Sequence, residues 1–81
     1  MKIEVLGAGC PKCKMTAANA EKAVKKLNVD AEIVKVEKLE DIINYGVMMT
    51  PALAIDGDVK ISGKIPSPEQ IAEWIKEKRE G

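Results

Sequence analysis

The chain has 81 residues, enough for a single compact domain over residues 1–81 with one core and too few for two. Hydrophobic residues make up 46% and charged residues 32%, which excludes a disordered chain; thirteen basic against thirteen acidic residues leave no positive excess for counterion release on a nucleic acid. The longest apolar runs, Val47 to Met49 and Ala52 to Ile55, fall far short of the roughly 20 residues that a membrane span requires.

Residues 2 to 6 alternate Lys2 and Glu4 with Ile3 and Val5 and read as a short strand, after which Gly7-Ala8-Gly9 frees the backbone to turn. This opening lacks the basic tip and long greasy stretch of a secretory signal, so a cytoplasmic protein is expected. From Pro11 onward, Cys13, Ala17, Ala20, Val24 and Leu27 recur at spacings of four and three, the buried stripe of an amphipathic helix. Lys14, Asn19, Glu21, Lys22, Lys25 and Lys26 take its wet side, and Asn28 and Asp30 break it.

Ala31 to Val36 follows as a second strand rich in β-branched residues, so the first unit is strand-helix-strand, with parallel strands and a right-handed crossover. Leu39, Ile42 and Ile43 mark a short second helix, and Gly46 suits the left-handed position that ends one. Ala52 to Ile55 reads as a buried strand, Asp56-Gly57 as a two-residue hairpin turn, and Val59 to Ile61 as the antiparallel return. Ser67-Pro68-Glu69-Gln70 is a capping box with proline at the first helical position, and Ile71, Trp74 and Ile75 form the apolar face of a closing helix, with Trp74 expected in the core. The order is therefore β-α-β-α-β-β-α.

The chemistry gathers at Cys10 and Cys13, spaced C-x-x-C between the first strand and the first helix. In a reducing compartment this spacing points to redox or metal chemistry, whereas a secreted chain of this size would carry more cysteines as staples. A thiol becomes a nucleophile on ionising, and the opening turn of a helix offers unpaired amide donors and the positive dipole end that stabilise a thiolate. Cys10 occupies that place, and the cation of Lys12 between the cysteines favours the same charged form, so Cys10 is expected to ionise below the free-thiol value. Residues three apart at a helix start lie within bonding reach once the first adjusts. Cys10 is then the attacking sulfur and Cys13, on the inward stripe, the resolving one. Pro11 fixes φ and stiffens this turn at little cost.

A second class of reading is a soft-metal module carrying Cu(I) or zinc on the two thiolates. A structural zinc site wants four ligands, while the chain has two cysteines and no histidine. Small heavy-metal domains, moreover, close on a strand in β-α-β-β-α-β order. Met48 and Met49 are read with one in the core and one near the active surface.

Strand, Gly9-Cys10-Pro11-Lys12-Cys13, helix, then Met49-Thr50-Pro51 before a hairpin and a last helix resembles the thioredoxin and glutaredoxin superfamily over nearly the whole chain. It is most similar to the very small prokaryotic glutaredoxin-like thioredoxins. The resemblance implies an α/β thioredoxin-like fold, a four-stranded mixed sheet in the order 2-1-3-4, with the first and third helices on one face and the second on the other. It implies a cis bond before Pro51, facing the cysteine turn, and places substrate-strand recognition on Thr50 and Pro51, with Met49 and Gly63 completing the substrate-binding set.

Thioredoxins also carry a semi-buried carboxylate six positions ahead of the first cysteine, here Glu4, which would help deprotonate Cys13; the alternative is a solvated strand residue. Gly9 stands where thioredoxins often have tryptophan, and Ser62-Gly63-Lys64-Ile65 lacks the stretch with which glutaredoxins hold glutathione. The implied activity is thiol-disulfide exchange by a monomer with disulfide-containing proteins, recharged by a thioredoxin-reductase-like electron donor. No bound cofactor is needed, because the electrons reside in the Cys10/Cys13 pair.

Overall fold

The computed structural model describes residues 1–7 and 11–80. Four strands, β1 (Lys2–Leu6), β2 (Glu32–Val36), β3 (Ala52–Ile55) and β4 (Asp58–Ser62), form one sheet in the order β2-β1-β3-β4. β1 runs parallel to β2 and antiparallel to β3, and β4 returns antiparallel along β3. The helices are α1 (Pro11–Leu27), α2 (Leu39–Asn44) and α3 (Pro68–Glu80). The chain therefore has the α/β thioredoxin-like arrangement.

The two central strands are buried on both faces, and their alternation sorts side chains between two cores. Ile3, Leu53 and Ile55 pack with Ala20 and Ala23 of α1 and Ile71, Ala72 and Ile75 of α3. On the other face Leu6, Ala52 and Ala54 pack with Ile42 of α2 and with Val47. α1 and α3 thus cover one face and α2 the other. Each fully buried isoleucine or leucine contributes about 1.5–3 kcal/mol by leaving water, which concentrates the stabilisation in the larger α1–α3 layer.

The turns are set by local chemistry. Asn28 takes a left-handed φ of 51°, its N–H reaches the carbonyl of Lys25 at 3.2 Å, and the Val29 N–H reaches Val24 at 3.3 Å. That paired closure ends α1 as a Schellman motif, with asparagine in the place glycine usually takes. Gly46, at φ 79°, follows α2, and Asp56 and Gly57, at φ 51° and 86°, make the hairpin turn whose twist suits two antiparallel strands. At α3 the Ser67 hydroxyl accepts from the Gln70 N–H at 3.1 Å and the Gln70 side chain accepts from the Ser67 N–H at 3.4 Å, the reciprocal capping box.

Several placements differ from the periodicity. On α1 the deepest positions are Cys13, Thr16, Ala17, Ala20 and Ala23, while Val24 and Leu27 are half-buried at the margin. Small residues win the centre because α1 lies close against α3, and the larger side chains fill the edges. Thr16 tolerates burial because its hydroxyl donates to the Lys12 carbonyl at 2.9 Å. Asn19, assigned to the wet face, is half-buried and donates to the Pro66 carbonyl at 2.9 Å, tying α1 to the approach to α3. Trp74 is half-buried and packs on the outside of the core. Met48 and Met49 are both exposed, at 96% and 64%, because Val47 is the residue of that run that enters the core. No helix among the described residues is long and apolar enough to cross a membrane.

Candidate active site

Cys13 is the third residue of α1 and lies on its inward stripe, only 5% exposed. It sits over the C-terminal end of β1, where the chain has just passed Gly7. A Cβ built on Gly7 would lie 2.1 Å from the Cys13 Sγ and 3.2 Å from its Cβ. The sulfur therefore occupies the space that any side chain at position 7 would need, which is why glycine is required there. The same Cβ would lie 3.7 Å from the Cβ of Thr50, so Gly7 is the floor between the helix and the segment ending in Thr50-Pro51.

The Thr50–Pro51 peptide bond is cis. Pro51 is buried and its carbonyl accepts from the Gly63 N–H at 2.8 Å. Gly63, at φ 77°, lies against Met49, whose Cβ, Cε and Sδ would stand 3.2, 3.3 and 3.4 Å from a Cβ at that position. The structure thus brings Cys13, Thr50, Pro51, Met49 and Gly63 to one end of the sheet. Thr50 and Met49 are open to solvent, as are Pro11 and Lys12 at the start of α1. Cys10, the expected nucleophile, lies outside the described residues. Beside Cys13 a small pocket is lined by Val5, Gly7, Lys14, Lys35 and Glu37, two basic residues and one acidic.

Glu4 is placed differently. It is buried, at 5% exposure, so the solvated reading does not hold. By strand alternation it shares the α2 face of β1 with Leu6, whereas Cys13 lies on the α1 face with Val5 and Gly7. Its carboxylate accepts the Tyr45 hydroxyl on one oxygen and the Gly57 N–H, at 3.0 Å, on the other. These partners satisfy a buried charge that would otherwise be costly. The hydrogen bond to Glu4, then burial, then the negative charges of Glu4 and Asp41 raise the Tyr45 pKa above its ordinary value. The stabilisation from this contact is complete below the ordinary tyrosine pKa of about 10 and is lost as pH rises through the higher folded value.

Sequence reasoning missed two residues here. In sequence Gly7 reads as part of a turn, and its role as room for a sulfur six residues later becomes visible only once the strand and helix are juxtaposed. Tyr45 carries one faint signal: it is the only tyrosine in a chain with a single tryptophan and no phenylalanine, placed at the helix end just before Gly46. Among the described residues no three histidine, cysteine, aspartate or glutamate side chains gather into a group able to hold a metal ion.

Comparison with known proteins gives the family. A thioredoxin domain family model matches residues 1–76. The chain is similar to the thioredoxin of Methanocaldococcus jannaschii, 47% identical over 79 residues that cover 98% of this chain and 91% of that protein. It is likewise similar to the thioredoxin of Methanothermobacter thermautotrophicus, 44% identical over 71 residues covering 88% of this chain and 92% of that protein. A probable thioredoxin of Methanothermobacter marburgensis is 33% identical over 84 residues, covering 99% and 98%. With a matching family model across most of its length and relatives matched nearly end to end, the chain belongs to the thioredoxin family of thiol-disulfide oxidoreductases.

Proposed function

We propose that the chain reduces disulfides of protein partners through the Cys10/Cys13 dithiol. The Cys10 thiolate attacks one sulfur of the partner's disulfide, forming a mixed disulfide while the partner's other sulfur leaves as a thiolate and takes up a proton. Cys13 then loses its proton and attacks the Cys10 sulfur, which forms the Cys10–Cys13 disulfide and releases the partner's second thiol. Two electrons pass to the partner, whose two thiols take up one proton from Cys13 and one from solvent, and an electron donor of thioredoxin-reductase type restores the dithiol.

The observation that carries this reading is the seat of Cys13: buried in the first turn of α1, packed into the space left by Gly7, with Thr50 bordering the same space. A resolving sulfur needs such a seat, since it must meet an adjacent sulfur and no outside reagent. Protein partners are favoured over small thiols by the surface. The large hydrophobic side chains that the described residues leave exposed are Met15 on α1 and Leu39, Ile43, Met48 and Met49 on α2 and the segment after it. An apolar groove lined by Leu39, Ile42, Ile43, Val47 and Met48 runs up to Thr50 and suits an extended apolar segment flanking the partner's disulfide.

The test is reduction of insulin disulfides by the dithiothreitol-recharged protein. The parent is expected to turn over and Cys10→Ser to fall to the uncatalysed background; equal rates from the two would sink the assignment.

A further inference from the structure

Glu4 sits at the centre of the sheet, yet neither of its hydrogen-bond partners belongs to the cysteine end. One is the hairpin amide of Gly57; the other is the hydroxyl of Tyr45, the residue that closes α2. The Tyr45 N–H is itself bound to the carbonyls of Asp41 and Ile42, each at 3.2 Å, so the hydroxyl anchors the end of that helix to β1. From Tyr45 the chain turns at Gly46, drops Val47 into the core beside Ile42 and Leu6, and reaches Thr50 and Pro51. α2 is only six residues long, too short to hold its place by its own hydrogen bonds. Its exposed Leu39 and Ile43 add little burial. The segment carrying Thr50 is held at its far end by the Pro51–Gly63 hydrogen bond, and at its root by the Val47 side chain and the Tyr45–Glu4 hydrogen bond.

We propose that Glu4 and Tyr45 are positioning residues for protein-disulfide exchange: their hydrogen bond fixes the root of the segment from Gly46 to Pro51 and with it the placement of the Thr50 backbone beside Gly7 and Cys13. Glu4 acts through this segment and not as a base on Cys13, which lies across the sheet. The inference rests on the proposed reductase function.

Tyr45→Phe, which removes one oxygen and keeps the ring, tests it. The KM for insulin is expected to rise about five- to tenfold with kcat within about twofold, the signature of lost substrate placement. The pH profile of Cys10 alkylation should match the parent's. Amides of residues 46–50 should exchange with solvent faster, while those of β1 and β3 stay as slow as in the parent, which separates local loosening from general destabilisation. In Glu4→Gln the side-chain amide is able to donate to the Tyr45 oxygen, so the link is kept and KM should stay close to the parent value. An unchanged KM in Tyr45→Phe, a shifted alkylation profile, or equal acceleration of exchange throughout the sheet would overturn the proposal. If the parent itself fails to reduce insulin, it is the reductase reading that fails.

Discussion

Gly7→Ala is expected to remove most of the protein-disulfide reductase activity and to cost about 1–3 kcal/mol of stability, the usual range for forcing extra atoms into a packed site. The new methyl group would stand 2.1 Å from the Cys13 Sγ, well inside any van der Waals contact. Cys13 has a single side-chain torsion, and on a helix that torsion has few open wells. The sulfur can clear the methyl group by rotating away from its seat or by moving the first turn of α1. Either response changes the separation and dihedral that a disulfide with Cys10 requires. Urea denaturation and insulin turnover measured on the same preparation check both halves of the prediction. Parent-like turnover, with the pair still oxidising at the parent rate, would show that Cys13 does not need this seat.

The second large effect is expected from Cys13→Ser. Attack by Cys10 remains possible, but release of the partner is left to thiols from solution. An adjacent resolving sulfur has the advantage of an intramolecular reaction, so turnover should fall by on the order of a hundredfold or more. A covalent adduct between the variant and its partner should accumulate, visible by non-reducing electrophoresis and dissolved by dithiothreitol. In Cys10→Ser no such adduct should form, because the remaining thiol is buried. Adducts through Cys13 in place of Cys10 would reverse the roles assigned to the two sulfurs.

Both effects concern a site of which the sequence displayed the chemistry better than the spatial arrangement. The C-x-x-C spacing after a strand and before a helix is readable because it needs no long-range information, and the same holds for the Asp56-Gly57 hairpin, the Ser67 capping box, the helix break at Asn28 and the left-handed Gly46. Each is specified within a few residues by backbone sterics or a local hydrogen bond. Sheet order is different in kind: the unbroken apolar run of β3 and the alternation of β1 mark two strands but not which lies beside which, and the order 2-1-3-4 is implied by likeness to a family.

What remained illegible depends on contacts between distant segments. The burial of Glu4 requires a tyrosine 41 positions away and an amide 53 positions away, and strand periodicity reveals only the face on which the carboxylate lies. Hydrophobicity alone does not distinguish Val47, which enters the core, from Met48 and Met49, which do not; that distinction follows from the path of the chain after Gly46. The centrality of Ala23 relative to Val24 reflects how closely α1 approaches α3, a property of the pair of helices and not of either pattern.

The central claim, that Cys10 and Cys13 act as one two-electron couple, is tested most directly by equilibrating the protein in defined ratios of reduced to oxidised dithiothreitol and counting thiols by mass after alkylation. The account predicts a single transition between two alkylated cysteines and none, following a two-electron slope of about 30 mV per tenfold change in ratio. Two alkylated cysteines retained across the whole range, or a stable species carrying one, would contradict it.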